Sequence, residues 1–400
     1  MEPCSMSQRL ISLSPDLQRL VDEGYDMSIE GGYLVLRDVP YLDARQRVRR
    51  GTLVSGLDLA GDRTVPPRSH MAYFAGYMPH TADGRPLAMM AHTRARRDLG
   101  HGLVVEHTLC SKPFDGEFPD FHAKMVTFVE QISAHAKMVE PDVTARTGQV
   151  MLPERERSCF AYLDTGSARH GIGAFTSRLE GLSVAIVGLG GTGSYILDQI
   201  AKCPVARIHL FDDDRFDQHN AFRSPGAPSV QELRSRPTKV GHLAGIYSRM
   251  HTGIIGHEDK LGPNNAHLLD HVDFVFVAID VGVSRRIIVE QLERRGLPFI
   301  DTGIGLEATE AGLTGAVRVT TSTSDMRGHV RDAARIPMTA AGEHIYGSTA
   351  QVSDMNMLAA ALAVIRFKKH FGFYLDLERE HHSVFQMDGA HLINDDRAGW

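Results

Sequence analysis

Residues 183–223, SVAIVGLGGTGSYILDQIAKCPVARIHLFDDDRFDQHNAFR, limit what this chain can fold into more than any other stretch. The run 184–187 is apolar, short and rich in β-branched residues, which predicts a buried strand. Gly188, Gly190, Gly191 and Gly193 follow at once, and Tyr195, Ile196, Leu197, Ile200 and Ala201 then recur at helical spacing. A strand, a glycine turn and a helix start aim free backbone N–H groups, and the positive end of the helix dipole, at an anion. A second strand over 206–211 ends on Asp212, placed to reach a ribose from the neighbouring strand tip. A glycine-rich turn with no ligand is the plainer alternative. The three elements stand in the order that a nucleotide site requires, and that order favours the site.

At 400 residues the chain exceeds one ordinary core, so two domains are expected. Apolar residues make up 42% and charged residues 23%, the balance of a soluble globular protein. The net charge of −6 argues against a general nucleic-acid or membrane-surface binder. The longest apolar run, 357–365, is far short of a membrane span, and MEPCSMSQRL lacks the basic start and apolar centre of a secretion signal. Cys4, Cys110, Cys159 and Cys203 form no CxxC pair and no zinc-type cluster, so a reduced, cytoplasmic protein without structural zinc is expected.

Residues 1–150 read as a smaller α+β domain. Ser14 is a candidate cap for the helix carrying Leu17, Leu20 and Val21. GGYLVLRDVPYL reads as a strand stopped by Pro40, a DG turn falls at Asp83 and Gly84, and Phe121, Met125, Phe128, Val129 and Ile132 share one face of a helix. His70, His80, His92, His101, His107 and His122 share no ligand spacing and read as surface or hydrogen-bonded residues. Cys110 has no base beside it and reads as a small buried residue rather than a nucleophile. A polar connection sets the boundary near 148–156. From about residue 155 to 400, DFVFVAID, SRRIIVEQLERRG and LPFIDTGI continue the strand–helix alternation. The fold class expected is therefore α/β, a Rossmann-like, doubly wound, mostly parallel sheet preceded by the smaller domain.

Two features separate this chain from a plain dinucleotide enzyme. Its glycine turn is doubled and followed by Ser194, which lets backbone approach a phosphate closely. Asp212, Asp213 and Asp214 are consecutive carboxylates that repel unless hydroxyls, cations or Mg²⁺ stand near. Beyond them, Asn220, Arg223 and Lys239 are donors suited to a triphosphate.

In the ordered set GLGGTGS, FDDDRFDQHNAFR, the lysine of PTKV and VAID, the chain resembles the ThiF/MoeB/ubiquitin-activating superfamily over roughly residues 168–372. The resemblance implies ATP- and Mg²⁺-dependent adenylation of the C-terminal carboxylate of a ubiquitin-like protein, in a bacterial conjugation pathway, by a homodimer. It implies Asp212 on the ribose, Asn220, Arg223 and Lys239 on the phosphates, Asp280 on Mg²⁺, and Arg169 as the arginine acting across the dimer. The glycine-turn residues and Asp214 complete the nucleotide site. The N-terminal region looks like an extension found on some bacterial members. Relatives that pass the activated protein onward use a cysteine beyond the Mg²⁺ site, whereas here no cysteine follows Cys203, which reads as core. Val281 stands after Asp280 where many relatives carry Asn. The expected routes are adenylation alone, hand-over to a conjugating-enzyme-like partner, or a hydroxyl such as Ser322, Ser324 or Ser348, all three of which read more simply as loop residues. The polar stretch 321–347 is expected over the incoming tail. Two other functions stay open: an NAD-dependent Rossmann oxidoreductase with Asp212 on the ribose, and a non-catalytic nucleotide-binding scaffold.

Overall fold

Residues 27–110 build an antiparallel sheet. The computed structural model describes residues 5–87, 91–113, 116–148, 158–280, 282–338 and 351–399. They divide into one unit of residues 1–158 and 162–177 and a second of residues 159–161 and 178–400. In the first, helices α1 (Met6–Leu13) and α2 (Pro15–Asp22) precede strands β1 (Met27–Glu30), β2 (Tyr33–Leu42) and β3 (Val48–Gly56). Strand β6 (Met71–Ala75), β7 (Ala91–Thr93) and β10 (His107–Cys110) complete a sheet of order β1-β2-β3-β6-β10-β7. Strands β4 (Leu59–Ala60) and β5 (Arg63–Thr64) pair as a small ribbon, as do β8 (Arg97–Asp98) and β9 (Val104–Val105). Helix α3 (Phe121–Val139) buries Phe121, Met125, Phe128, Val129 and Ile132, the face its spacing predicts.

Pro40 does not stop its strand. β2 runs on to Leu42, with Pro40 opposite Arg50, after an irregularity between Leu36 and Val39 where Asp38 takes a φ of +56°. A proline beside such a bulge costs little of the ladder. Ser14 sits at the start of α2, but its hydroxyl accepts the Thr64 N–H (3.1 Å) and does not cap the helix. Cys110 is only half-buried. His122 bonds Glu23 (2.8 Å), and His80 and His107 bond backbone carbonyls, so these three histidines have ordinary partners. The connection expected at 148–156 falls almost wholly outside the described residues. Past it, α4 (Thr165–His170) and α5 (Gly173–Thr176) pack with the first unit, where the Tyr33 hydroxyl donates to the Ala168 carbonyl (3.0 Å).

The second unit is the α/β part. Its strands are β11 (Ser183–Val187), β12 (Arg207–Phe211), β13 (Ile254–His257), β14 (Phe274–Val277), β15 (Phe299–Ala308), β16 (Leu313–Ser322), β17 (Glu380–Gln386) and β18 (His391–Arg397). They lie in the order β13-β12-β11-β14-β15-β16-β17-β18, the first five mutually parallel and the last three antiparallel. The chain leaves β11 to one side through β12 and β13, then returns to its other side with β14. That reversal opens a crevice at the carboxyl ends of β11 and β14, where open α/β sheets bind ligands. Helices α6 (Gly191–Ile200), α9 (Lys239–Tyr247) and α12 (Ser353–His370) contribute to the core on one face, and α10 (Gly282–Arg294) to that on the other. The short helices α7 (Gln218–Ala221), α8 (Val230–Ser235) and α11 (His329–Asp332) complete the unit. Ala359, Ala360 and Ala363, all buried, let α12 come close to α6 and the sheet. Cys203 lies in the same core, as expected. No helix among the described residues is long and apolar enough to cross a membrane.

Beside the carboxyl end of β14, Asp301 is paired with Val277 and fully buried between two arginines. Arg318 bonds one oxygen, and Arg285 Nε lies 3.1 Å from the other, off the hydrogen-bond line. Removing the shared carboxylate leaves two dehydrated guanidinium groups without a counter-ion. Asp301→Ala is expected to cost about 3 kcal/mol or more, read as lost amide-exchange protection at Ile300 and Val319. In the first unit Lys124 is buried, donates to Ser55 Oγ (2.9 Å), and is pushed down to about 8 by burial. The unfolded lysine titrates near 10.5, so between these values the unfolded chain holds more protons and stability rises with pH. Lys124→Met is expected to melt higher than the parent at pH 7, with the gap closing as the pH rises from 8 to 10.

Candidate nucleotide site

Residue by residue, the turn after β11 is shaped for close backbone approach. Gly188 has a φ of +89°, and a side chain there would meet the Ala278 carbonyl oxygen at 2.5 Å and the Ile279 side chain at 2.7 Å. A side chain at Gly193 would strike the Gly188 carbonyl oxygen. Both positions therefore need glycine on steric grounds. Nothing lies within 4 Å of the Cβ position of Gly190, which opens α6. No side chain caps α6, and the first of its N–H groups to bond within the turn is Ser194, to Gly190 (3.0 Å). The N–H groups of Gly191, Thr192 and Gly193 stay available to an anion. The Ser194 hydroxyl is not part of that set: it is fully buried and donates to the Gly191 carbonyl (2.8 Å).

Asp212 closes the turn from the end of β12. Its Oδ2 accepts the Leu189 N–H (2.7 Å) and its Oδ1 accepts the Asp214 N–H (2.9 Å). Lys239, the first residue of α9, is buried and reaches into the same place, with Nζ 2.6 Å from Asp214 and 3.4 Å from Asp212. The Thr238 hydroxyl caps α9 through the Gly241 N–H (2.9 Å), which fixes where the lysine starts. The ammonium holds the Asp214 carboxyl below its usual range, while Lys260 bonds Asp213 (3.0 Å). The cations that relieve the acid triplet are thus this chain's own lysines, and Lys260 carried no signal in the sequence. The three carboxylates lie within 4.8 Å of one another. With both lysines in contact, they are a poorer place for a divalent cation than Asp280.

Asp280 is exposed just past the carboxyl end of β14, and among the described residues it has no hydrogen-bond or ion-pair partner. A free hard oxygen ligand two residues beyond Ala278, whose carbonyl abuts the glycine turn, fits Mg²⁺ at the phosphates. Arg223, just after α7, donates from Nη1 to Gln351 Oε1 (2.6 Å), while its buried Nε has no partner among the described residues. Asn220 is buried, and its Oδ1 accepts the Asp217 N–H (2.9 Å), so its carbonyl end serves the local turn. Arg169 is exposed on α4 and belongs to the first unit. Of the proposed hydroxyls, Ser322 is fully buried and Ser324 bonds Asp325, while Ser348 lies outside the described residues. The polar stretch 321–347 begins as buried strand, and its part from residue 339 is likewise outside them.

Sequence reasoning missed the partners that α12 brings to this turn. Asn356 is buried, accepts from Thr192 Oγ1 (2.9 Å) and donates to the Val352 carbonyl (2.9 Å), with its carboxamide pressed on Gly191. Ser353 Oγ and Tyr195 Oη lie 2.5 Å apart. A lone asparagine inside the apolar run MNMLAAALAV was the available signal.

Comparison with known proteins finds two families along the chain, the second beginning inside the first unit. Residues 15–165 match a family described as a domain of unknown function, DUF6791, and residues 167–368 match the ThiF family. A rice protein, ubiquitin-like modifier-activating enzyme 5, is 28% identical over 152 residues, which are 35% of this chain and only 36% of the rice protein. Among solved structures, PaaA is 15% identical with a TM-score of 0.46, covering 69% of this chain and 95% of PaaA. E. coli MccB, determined with ATP, is 14% identical with a TM-score of 0.45, covering 70% of this chain and 83% of MccB. Because the ThiF match takes in just over half of the 400 residues, the chain belongs to the ThiF family.

Proposed function

We propose that this chain uses ATP to adenylate the C-terminal carboxylate of a ubiquitin-like protein. The observation that carries this reading is the buried Lys239 beside Asp212 at the mouth of the uncapped α6. A nicotinamide dinucleotide gives such a cation no task, whereas a triphosphate needs it. Membership of the ThiF family and the name of the rice relative support the same reading.

The chemistry is a displacement at phosphorus. A carboxylate oxygen bonds to the α-phosphorus, the bond from that phosphorus to the bridging oxygen breaks, and pyrophosphate leaves with the electron pair. No proton has to move. The main obstacle is repulsion between two anions, which fixed positive charge relieves. The N–H groups of Gly191, Thr192 and Gly193, with Lys239 and Arg223, supply that charge. For Lys239 and Arg223 this means exchanging Asp214 and Gln351 for phosphate oxygens. Asp212 meets the ribose while keeping the turn closed. Asp280 would hold Mg²⁺, which supplies further charge neutralisation on the phosphates. Arg169 acts from a second copy in a homodimer. With no cysteine after Cys203, the adenylate is the product or passes to a conjugating-enzyme-like partner, in a bacterial pathway of the reduced cytoplasm.

Two measurements test this. By calorimetry, Lys239→Ala is expected to weaken ATP binding at least about thirtyfold, as a lost charge-assisted contact implies. In ATP–pyrophosphate exchange driven by a ubiquitin-like protein with a free glycine terminus, Asp280→Ala is expected to lower exchange by about a hundredfold or more. ATP binding with no exchange for any such protein, unaltered by Asp280→Ala, would instead identify an idle nucleotide module.

A further inference from the structure

The first turn of α12 reaches two separate parts of the proposed phosphate site. Gln351, just before it, accepts from Arg223; Ser353 meets Tyr195; and Asn356 accepts from Thr192. The Asn356 contact spans 164 positions of sequence and is buried. Its neighbours on that side of α12 are Met355, Ala359 and Ala360, all apolar and buried. A carboxamide in such a place loses its hydration and gains nothing for packing that leucine would not supply. It is stable there because both ends are bonded, the oxygen to Thr192 and the nitrogen to Val352.

The two residues it grips, Thr192 by hydroxyl and Gly191 by contact, are the first two of α6. Their N–H groups are among the three aimed at the anion. A hydrogen bond that fixes the Thr192 rotamer, with a carboxamide packed on the adjacent Cα, fixes the direction of those N–H groups before ligand arrives. Preorganised donors lose less on binding than donors that must first be ordered.

We infer that Asn356 is a positioning residue for triphosphate binding, acting through Thr192 on the N–H groups of the glycine turn. This rests on the proposed ATP site. Asn356 touches no ligand itself, so its effect falls on the phosphates and not on the nucleoside.

The test uses the full chain with ATP and, separately, adenosine, measured by calorimetry for Asn356→Leu, Thr192→Val, Thr192→Ser and the Leu/Val double variant. Each of the first two is expected to weaken ATP binding about tenfold, the size of one buried hydrogen bond, with adenosine affinity held within about twofold. Thr192→Ser keeps the hydroxyl and is expected to recover most of the ATP affinity that Thr192→Val loses. The double variant is expected to lose no more than either single one, because both remove the same bond. Equal losses for ATP and adenosine, unchanged ATP affinity, or multiplying losses would each overturn the inference. A parent chain that binds no ATP overturns this inference and the proposed function together, whereas ATP binding indifferent to both substitutions overturns this one alone.

Discussion

The Asp212 carboxylate holds the nucleotide crevice together. One oxygen fastens the glycine turn through Leu189, the other fastens the acid triplet through the Asp214 N–H, and both lie near the Lys239 ammonium. Three successive carboxylates would otherwise repel one another and splay the end of β12. With Lys239 and Lys260 in place, the strand end is rigid and its negative charge largely matched. The same arrangement pairs a buried lysine with two carboxylates beside an uncapped helix. Both ingredients of anion binding are therefore present before any anion arrives.

Much of the second unit was legible because its signals are local. The apolar runs 184–187 and 274–279 are closed by Gly188 and Asp280, and a parallel strand buried on both faces can hardly be written otherwise. Side-chain direction was less legible. Ser194 sits where a phosphate contact is expected, yet inside a helical turn its hydroxyl finds the Gly191 carbonyl first. Asn220 is claimed by Asp217 three residues away. The partners of Thr192 and Arg223 come from α12 and from Gln351 just before it, more than 120 positions along the chain, and no local pattern announces them. The segment holding α4 shows the same limit in the other direction. It lies next to the nucleotide unit in sequence, but Tyr33 and the first sheet decide where it packs.

Charge buried without a local reason recurs one strand away from the crevice. Asp301 is matched by two arginines, so the cluster carries an excess of positive charge, with Arg285 buried and Arg318 partly open to water. Packing alone would be served as well by apolar residues of similar volume, since a buried ion pair seldom repays its dehydration. The cluster lies at the register of Val277, where β14 ends beside the crevice. Its excess charge is screened less than a surface charge would be and has the sign that favours anions. The glycine turn, Lys239 and this cluster thus all add positive potential near the carboxyl ends of the parallel strands.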